Sequence, residues 1–214
     1  LAARPRQISD DEILKVACEC FLENGPGVSV QVIADRLGIS QPALFKRFNT
    51  KEELLVAALM PNPDSFPVLT WLKNDPKPGP FLPQLEKLIS MLWMTIEVVF
   101  PRISMLAMSG LPHLGMQSGR GKQPLLFVLE AVADWLGAAQ RIGHLRSAGD
   151  PITWAQMCMG PLQGRAALKY VLHVDFSSDA FFRYRNFRND KAFIRATADL
   201  LWRGMSNTDN SHPQ

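Results

Sequence analysis

The chain has 214 residues, 47% of them apolar and 20% charged, with a formal net charge of +3. That is the composition of an ordinary soluble globular protein, long enough for one large domain or two small ones. It argues against a membrane span: the uncharged run Leu88 to Ile96 in the apolar centre stops at Glu97, short of the roughly 20 residues a bilayer needs. Alternating Val/Ile/Thr runs are scarce and helix-period apolar patterns recur, so the expected class is all-α. The three cysteines, Cys18, Cys20 and Cys158, are odd in number and sit in apolar helical surroundings. They read as small buried hydrophobes in a reducing compartment, not as a disulfide frame or a metal set. No signal-peptide pattern is visible at the start, and the cytoplasm is the expected location.

In chain order, Ser9 to Glu12 ("SDDE") is a capping-box pattern that opens a first helix, with Ile13, Ala17 and Phe21 forming one apolar stripe. Gly25 to Gly27 stops it. Ser29 is placed to cap a second helix whose buried side is Val30, Ile33, Ala34 and Leu37, and Gly38 breaks that helix. Ser40 caps a third, with Pro42 in the first turn, where a missing N–H costs little. Thr50 to Glu53 ("TKEE") opens a fourth helix that Pro61 ends. From Pro61 to Pro83, seven of 23 residues are proline, which rules out a long helix there. Helices are then expected over Gln84–Phe100, Ile103–Ser109, Leu125–Ile142, Pro151–Val174 and Lys191–Met205. A Gly/Pro/Ser/Gln-rich segment, Gly110–Pro124, lies among them. The expected organisation is a helix-turn-helix domain over 1–60, a larger helical domain over 61–206 and a disordered tail over 207–214.

The stretch "IADRLGISQPALFKRFNTKEELL", Ile33 to Leu55, carries the first functional signal. A small residue at Ala34 allows two helices to approach, and Gly38 allows a tight turn. Ile33, Leu37, Ile39, Leu44 and Phe48 hold the pair onto helix one, leaving Gln41, Ala43, Lys46 and Arg47 facing outward. That set suits a DNA major groove: an amide for adenine, a methyl for thymine, and cations for guanine or phosphate. The first 60 residues carry seven basic and eight acidic side chains, yet Arg36 to Lys51 holds four cations and no acid. A helical corner with a solvated charged face would look the same by spacing alone.

The wider string, "VSVQVIADRLGISQPALFKRFNTKEELL", resembles the N-terminal signature of TetR-family transcriptional regulators, whose third helix typically reads Leu-Tyr-x-His-Phe before a Lys-Glu-x-Leu start to helix four. Here those positions are Leu44, Phe45, Lys46, Arg47 and Phe48, then Lys51, Glu52 and Leu54. The resemblance covers about 50 residues; the remainder matches only in layout, with "GHLRSAGDP" placed as the connection between two long helices. It implies a homodimer binding a palindromic operator on double-stranded DNA, usually as a repressor, and a C-terminal domain whose small-molecule effector loosens that grip. The DNA-facing set it implies is Arg6, Ser29, Ser40, Gln41, Pro42, Ala43, Phe45, Lys46, Arg47 and Lys51. Phe45 stands where the family has tyrosine, so a phosphate contact through that hydroxyl is lost; Arg47 stands in place of histidine. Arg4 and Arg6 flank Pro5 before helix one, as a mobile minor-groove arm or a plain tail.

In the larger domain, Leu125 to Ala139 is apolar all round except Glu130 and Asp134, and Gly160, Gly164 and Ala167 offer close helix approach. Either a monomeric core or a two-fold four-helix interface accounts for this, and the family layout favours the interface. Its expected residues are Leu125, Leu129, Val132, Leu136, Gly160, Gly164 and Ala167. Seven of nine methionines fall between Met91 and Met159. Methionine at helical spacing serves a core or a promiscuous apolar pocket; a pocket would draw on Trp71, Trp93, Phe100, Met105 and Met108, with His113 as polar anchor. The four histidines are scattered, no phosphate loop or nucleophile motif appears, and neither a cofactor nor an enzyme activity is expected. The alternative function is a helical DNA-binding protein without an effector.

Overall fold

The computed structural model describes residues 8–111, 124–176 and 189–206. Among them the regular structure is helical, apart from one isolated antiparallel bridge between Leu145 and Ser206, in keeping with the all-α expectation. The described residues separate into two compact units: 8–61 with 101–111, and 62–100 with 124–176 and 189–206. A single cut near Pro61 therefore misses residues 101–111, which cluster with the N-terminal helices. Arg4, Arg6, His113 and the 207–214 tail lie outside the described residues.

The first unit contains α1 (Asp10–Asn24), α2 (Val30–Leu37), α3 (Gln41–Phe45) and α4 (Lys51–Leu59). Each starts where a hydroxyl can satisfy an orphan N–H: Ser9, Ser29, Ser40 and Thr50 accept from Glu12, Val32, Ala43 and Glu53 at 3.2, 3.4, 3.3 and 3.0 Å. At Thr50 the reciprocal half of the capping box is displaced by one residue. Glu53 accepts from the backbone N–H and side-chain amide of Asn49, at 3.1 and 3.0 Å. Gly38 ends α2 at φ +68°, a left-handed conformation that costs a residue with a Cβ about 1–2 kcal/mol. Its N–H and that of Ile39 close a Schellman pair on the carbonyls of Asp35 and Ala34, both at 3.1 Å. This pair sets the angle between α2 and α3.

The stripe expected on α1 is the centre of the core: Ile13, Ala17 and Phe21 are fully buried, with Ile33, Ala34, Leu44 and Leu59. Removing the Phe21 ring would cost about 3–5 kcal/mol by the usual cavity penalty. Leu106 joins this core, and Met105 and Leu111 pack against it.

The second unit contains a 3-10 turn (Pro63–Ser65), α5 (Pro67–Leu72), the first part of α6 (Leu82–Met108), α7 (Pro124–Arg141), α8 (Pro151–Tyr170) and α9 (Asp190–Met205). The two helices expected over Gln84–Phe100 and Ile103–Ser109 are one continuous helix with Pro101 inside it. An interior proline removes one backbone bond and strains the turn before it, at about 3 kcal/mol. Burial on both sides outweighs that: Ile96 and Val99 are fully buried in the second unit, and Leu106 in the first. The units divide at this proline.

The continuity also corrects the expectation about membrane spans. At 27 residues, with an 18-residue window of mean hydropathy 1.4, α6 is long and apolar enough to cross a bilayer. Its apolar face is occupied within the protein, however, since Leu85, Leu88, Ile89, Leu92, Ile96 and Val99 are all 0% exposed.

Helices α7 and α8 pack along each other through a connection held by its own polar groups. Gln140 Nε2 donates to the carbonyls of Arg146, Ser147 and Gly149 at 2.9, 3.0 and 2.8 Å. Gly149 is fixed by packing: a Cβ there would fall 1.6 Å from Cζ2 of Trp154. Asp150 caps α8 through Thr153, whose hydroxyl lies 2.6 Å from Oδ2 and holds that carboxyl below its ordinary value. Arg146 N–H donates to the Met205 carbonyl at 3.0 Å, tying the connection to the end of α9.

Candidate nucleic-acid interface and ligand site

Leu44 fixes the rotation of α3. It is fully buried, Phe48 one turn on is also buried, and the helix must therefore present its other sides to solvent. Ser40, Pro42, Ala43, Lys46 and Arg47 are exposed; Gln41 and Phe45 are half-buried. The hydroxyls of Ser29 and Ser40 accept cap bonds through oxygen and so keep an O–H that can donate to a phosphate. Lys51, the first residue of α4, is half-buried and lines a shallow cleft with Pro26, Gly27, Glu52, Leu55, Met108, Ser109 and Leu111.

The expected cations are not equivalent. Lys46 is exposed at the end of α3. Arg47 instead turns back to α1, where its Nη1 donates to the Ile8 carbonyl and to Asp10 Oδ1, the latter at 2.9 Å. Arg36 is bound to Glu23 at 2.8 Å and reaches Cys20 Sγ at 3.4 Å. The hydrogen bond to Glu23 raises its already high pKa further. Sequence spacing gave no sign of these ties, because their partners lie on another helix.

In the second unit, Trp71 belongs to an aromatic cluster, its ring 5.1 Å from that of Trp135, which Phe81 stacks at 5.3 Å. Phe81 also stacks on His144 at 5.0 Å, and His144 Nε2 lies 2.9 Å from the Lys77 carbonyl. Trp93 is buried on α6 and Phe100 is half-buried. Met105 and Met108 belong to the other unit, Met105 against its core and Met108 79% exposed. Of the six expected effector residues, Trp71, Trp93 and Phe100 share the second unit, Met105 and Met108 belong to the first, and His113 lies outside the described residues. The charged neighbours of Trp93 were missed. Arg165 is 2% exposed and bound to Asp190 at 2.7 Å, and Lys169 is bound to Glu97 at 2.7 Å. A signal existed, since Arg165 is the first charge after Asp150 in a helix whose other charged residue is Lys169.

Of the expected interface residues, Val132 and Leu136 are fully buried within the second unit, Leu125, Leu129 and Ala167 are half-buried, and Gly160 and Gly164 are exposed. A Cβ at either glycine would meet nothing within 4 Å. The exposed apolar residues of the two helices are instead Leu126, Phe127, Ile152 and Met157.

Capped α2, glycine turn and short exposed α3 form a helix-turn-helix unit of the DNA-binding type. Residues 13–58 match the family model described as bacterial regulatory proteins, tetR family. No curated protein matches the chain in sequence. Among solved structures, the fatty acid degradation regulator FadR of Bacillus halodurans superposes with a TM-score of 0.65 at 17% identity, covering 92% of this chain and 97% of that one. A protein assigned to the TetR family from Mesorhizobium loti gives 0.64 at 21% identity, covering 91% and 93%. FadR of Bacillus subtilis, in complex with stearoyl-CoA, gives 0.60 at 16% identity, covering 90% and 97%. The helix-turn-helix stretch, residues 13–58, is thus of the tetR type, and the chain shares the overall fold of these solved structures.

Proposed function

We propose that the protein binds a palindromic operator as a homodimer, represses transcription from it in the cytoplasm, and releases it when an apolar small molecule occupies the second unit. The observation that carries the reading is the orientation of α3: Leu44 buried, with Pro42, Ala43 and Lys46 exposed in a stretch from Arg36 to Lys51 that holds no acid. Gln41 and Ala43 in the first turn of α3 are the base-reading residues; Ser29, Ser40, Lys46 and Lys51 contact phosphate. For the dimer, the exposed faces of α7 and α8 support the reading, with Leu126, Phe127, Ile152 and Met157 around the open Gly160 and Gly164. Val132 and Leu136 support the protomer instead. An effector is favoured by the structures this chain resembles, one of which holds stearoyl-CoA.

Selection of bound duplexes from a random pool, followed by a screen for compounds that release the best one, tests the whole reading. A two-fold symmetric site and at least one releasing compound are expected. A pool that never enriches contradicts DNA recognition, and an enriched site that no compound releases favours a regulator without an effector.

A further inference from the structure

Trp93 is 3% exposed, and among the described residues its Nε1 is the buried side-chain nitrogen or oxygen that has no hydrogen-bond partner. A buried donor left unmade costs free energy that native proteins rarely accept without a use for it. Two cations stand beside the same ring, Arg165 Cζ and Lys169 Nζ, each 5.8 Å from its centroid and one turn apart on α8. Both are bound to acids, Arg165 to Asp190 and Lys169 to Glu97, each at 2.7 Å. Arg165 has a side chain 1% exposed, and its partner Asp190 is 41% exposed. Burial pulls the Lys169 pKa down, but hydrogen bonding and charge from Glu97 and Tyr170 together more than offset this and leave it raised. Rings complete the surroundings, with Phe176 and Phe193 4.2 and 4.8 Å from Arg165 Cζ and Tyr170 5.0 Å from Lys169 Nζ.

We propose that the Trp93 indole N–H, flanked by Arg165 and Lys169, receives the carboxylate of an apolar monocarboxylic acid whose hydrocarbon part lies among the neighbouring rings. The inference rests on the reading of the second unit as effector-binding and narrows the effector to an apolar acid. An acceptor oxygen on Nε1 satisfies the orphan donor, and the two cations favour an anion over an alcohol or ester at that position. Trp93 is then the residue that recognises the head group, while Arg165 and Lys169 set the local potential.

The test uses the full chain with 15N-labelled tryptophan, and decanoate, 4-phenylbutyrate and decanol as probes. The Trp93 indole resonance is assigned by its loss in Trp93→Phe, which keeps an aromatic side chain and removes the donor. Either acid is expected to shift that resonance downfield, and Trp93→Phe to bind the acids at least tenfold more weakly while decanol affinity changes less than twofold. Lys169→Met should lower affinity for the acids several-fold and leave decanol alone, guarding against a misfolded Trp93 variant. Acids that bind without moving the resonance, or equally well in Trp93→Phe, show that water alone satisfies the donor and overturn the proposal. Decanol releasing DNA with neither acid binding leaves the effector reading intact and removes the carboxylate claim. If no probe binds the wild-type chain, the carboxylate claim fails, and the compound-release screen decides the effector reading separately.

Discussion

Arg47 occupies a position at which the family resemblance implies DNA contact, but its guanidinium holds the Ile8 carbonyl and Asp10 at the start of α1. Lys46, its neighbour, is exposed and lies beyond any acid in the stretch from Arg36 to Lys51. The two substitutions should therefore behave differently. Lys46→Ala is expected to lower the salt dependence of operator binding by about 1 per half-site. Arg47→Ala is expected to leave that slope unchanged and to lower the melting temperature of the free protein. Binding titrations at several salt concentrations, paired with thermal melts, separate them; a slope that falls in Arg47→Ala would make it a phosphate contact. Cys158 shows the same influence of surroundings on chemistry. It is fully buried, and desolvation pushes its thiol up to about 12 from 9.0. Because the folded value is the higher one, the associated stability is complete below pH 9.0 and is lost as pH rises towards 12. At pH 8 a thiol reagent should not react at Cys158 until the chain unfolds, as mass spectrometry of the labelled peptide would show; rapid native labelling would contradict its burial.

At the scale of elements, starts were more legible than ends. Ser9, Ser29, Ser40 and Thr50 each sit beside an N–H they can accept from, and such caps are local in sequence. The stripe Ile13, Ala17 and Phe21 and the turn at Gly38 were readable for the same reason. Pro101 misled because proline's local cost was weighed without the burial of Ile96, Val99 and Leu106 on either side. The exposed face of α3 was legible once Leu44 was assigned to the core. The ties of Arg47 to Asp10, Arg36 to Glu23 and Arg165 to Asp190 were not, since each joins helices whose packing no period of a single helix encodes. The same limit misplaced Val132 and Leu136. A helix apolar on all sides does not reveal which side stays within its own protomer.

At the scale of the whole molecule, the proposed binding of a palindrome needs two copies, each presenting one α3 helix. The proposed interface predicts that Phe127→Glu with Met157→Glu places carboxylates against an apolar partner face and gives monomers with the helical content intact. Sedimentation at micromolar concentration checks this, and a double variant that remains dimeric would move the interface elsewhere. Operator affinity should fall with dimerisation, because half-site energies then no longer add.

The central claim is that the first turn of α3 reads bases. The direct measurement is titration of the selected operator and a scrambled duplex of equal length by wild type and Gln41→Ala, each at several salt concentrations. Gln41→Ala should cost roughly 1–3 kcal/mol per half-site on the operator, flatten preference at one base pair, and leave scrambled binding and salt slope nearly unchanged. Equal loss on both duplexes would contradict the placement of α3 in the major groove.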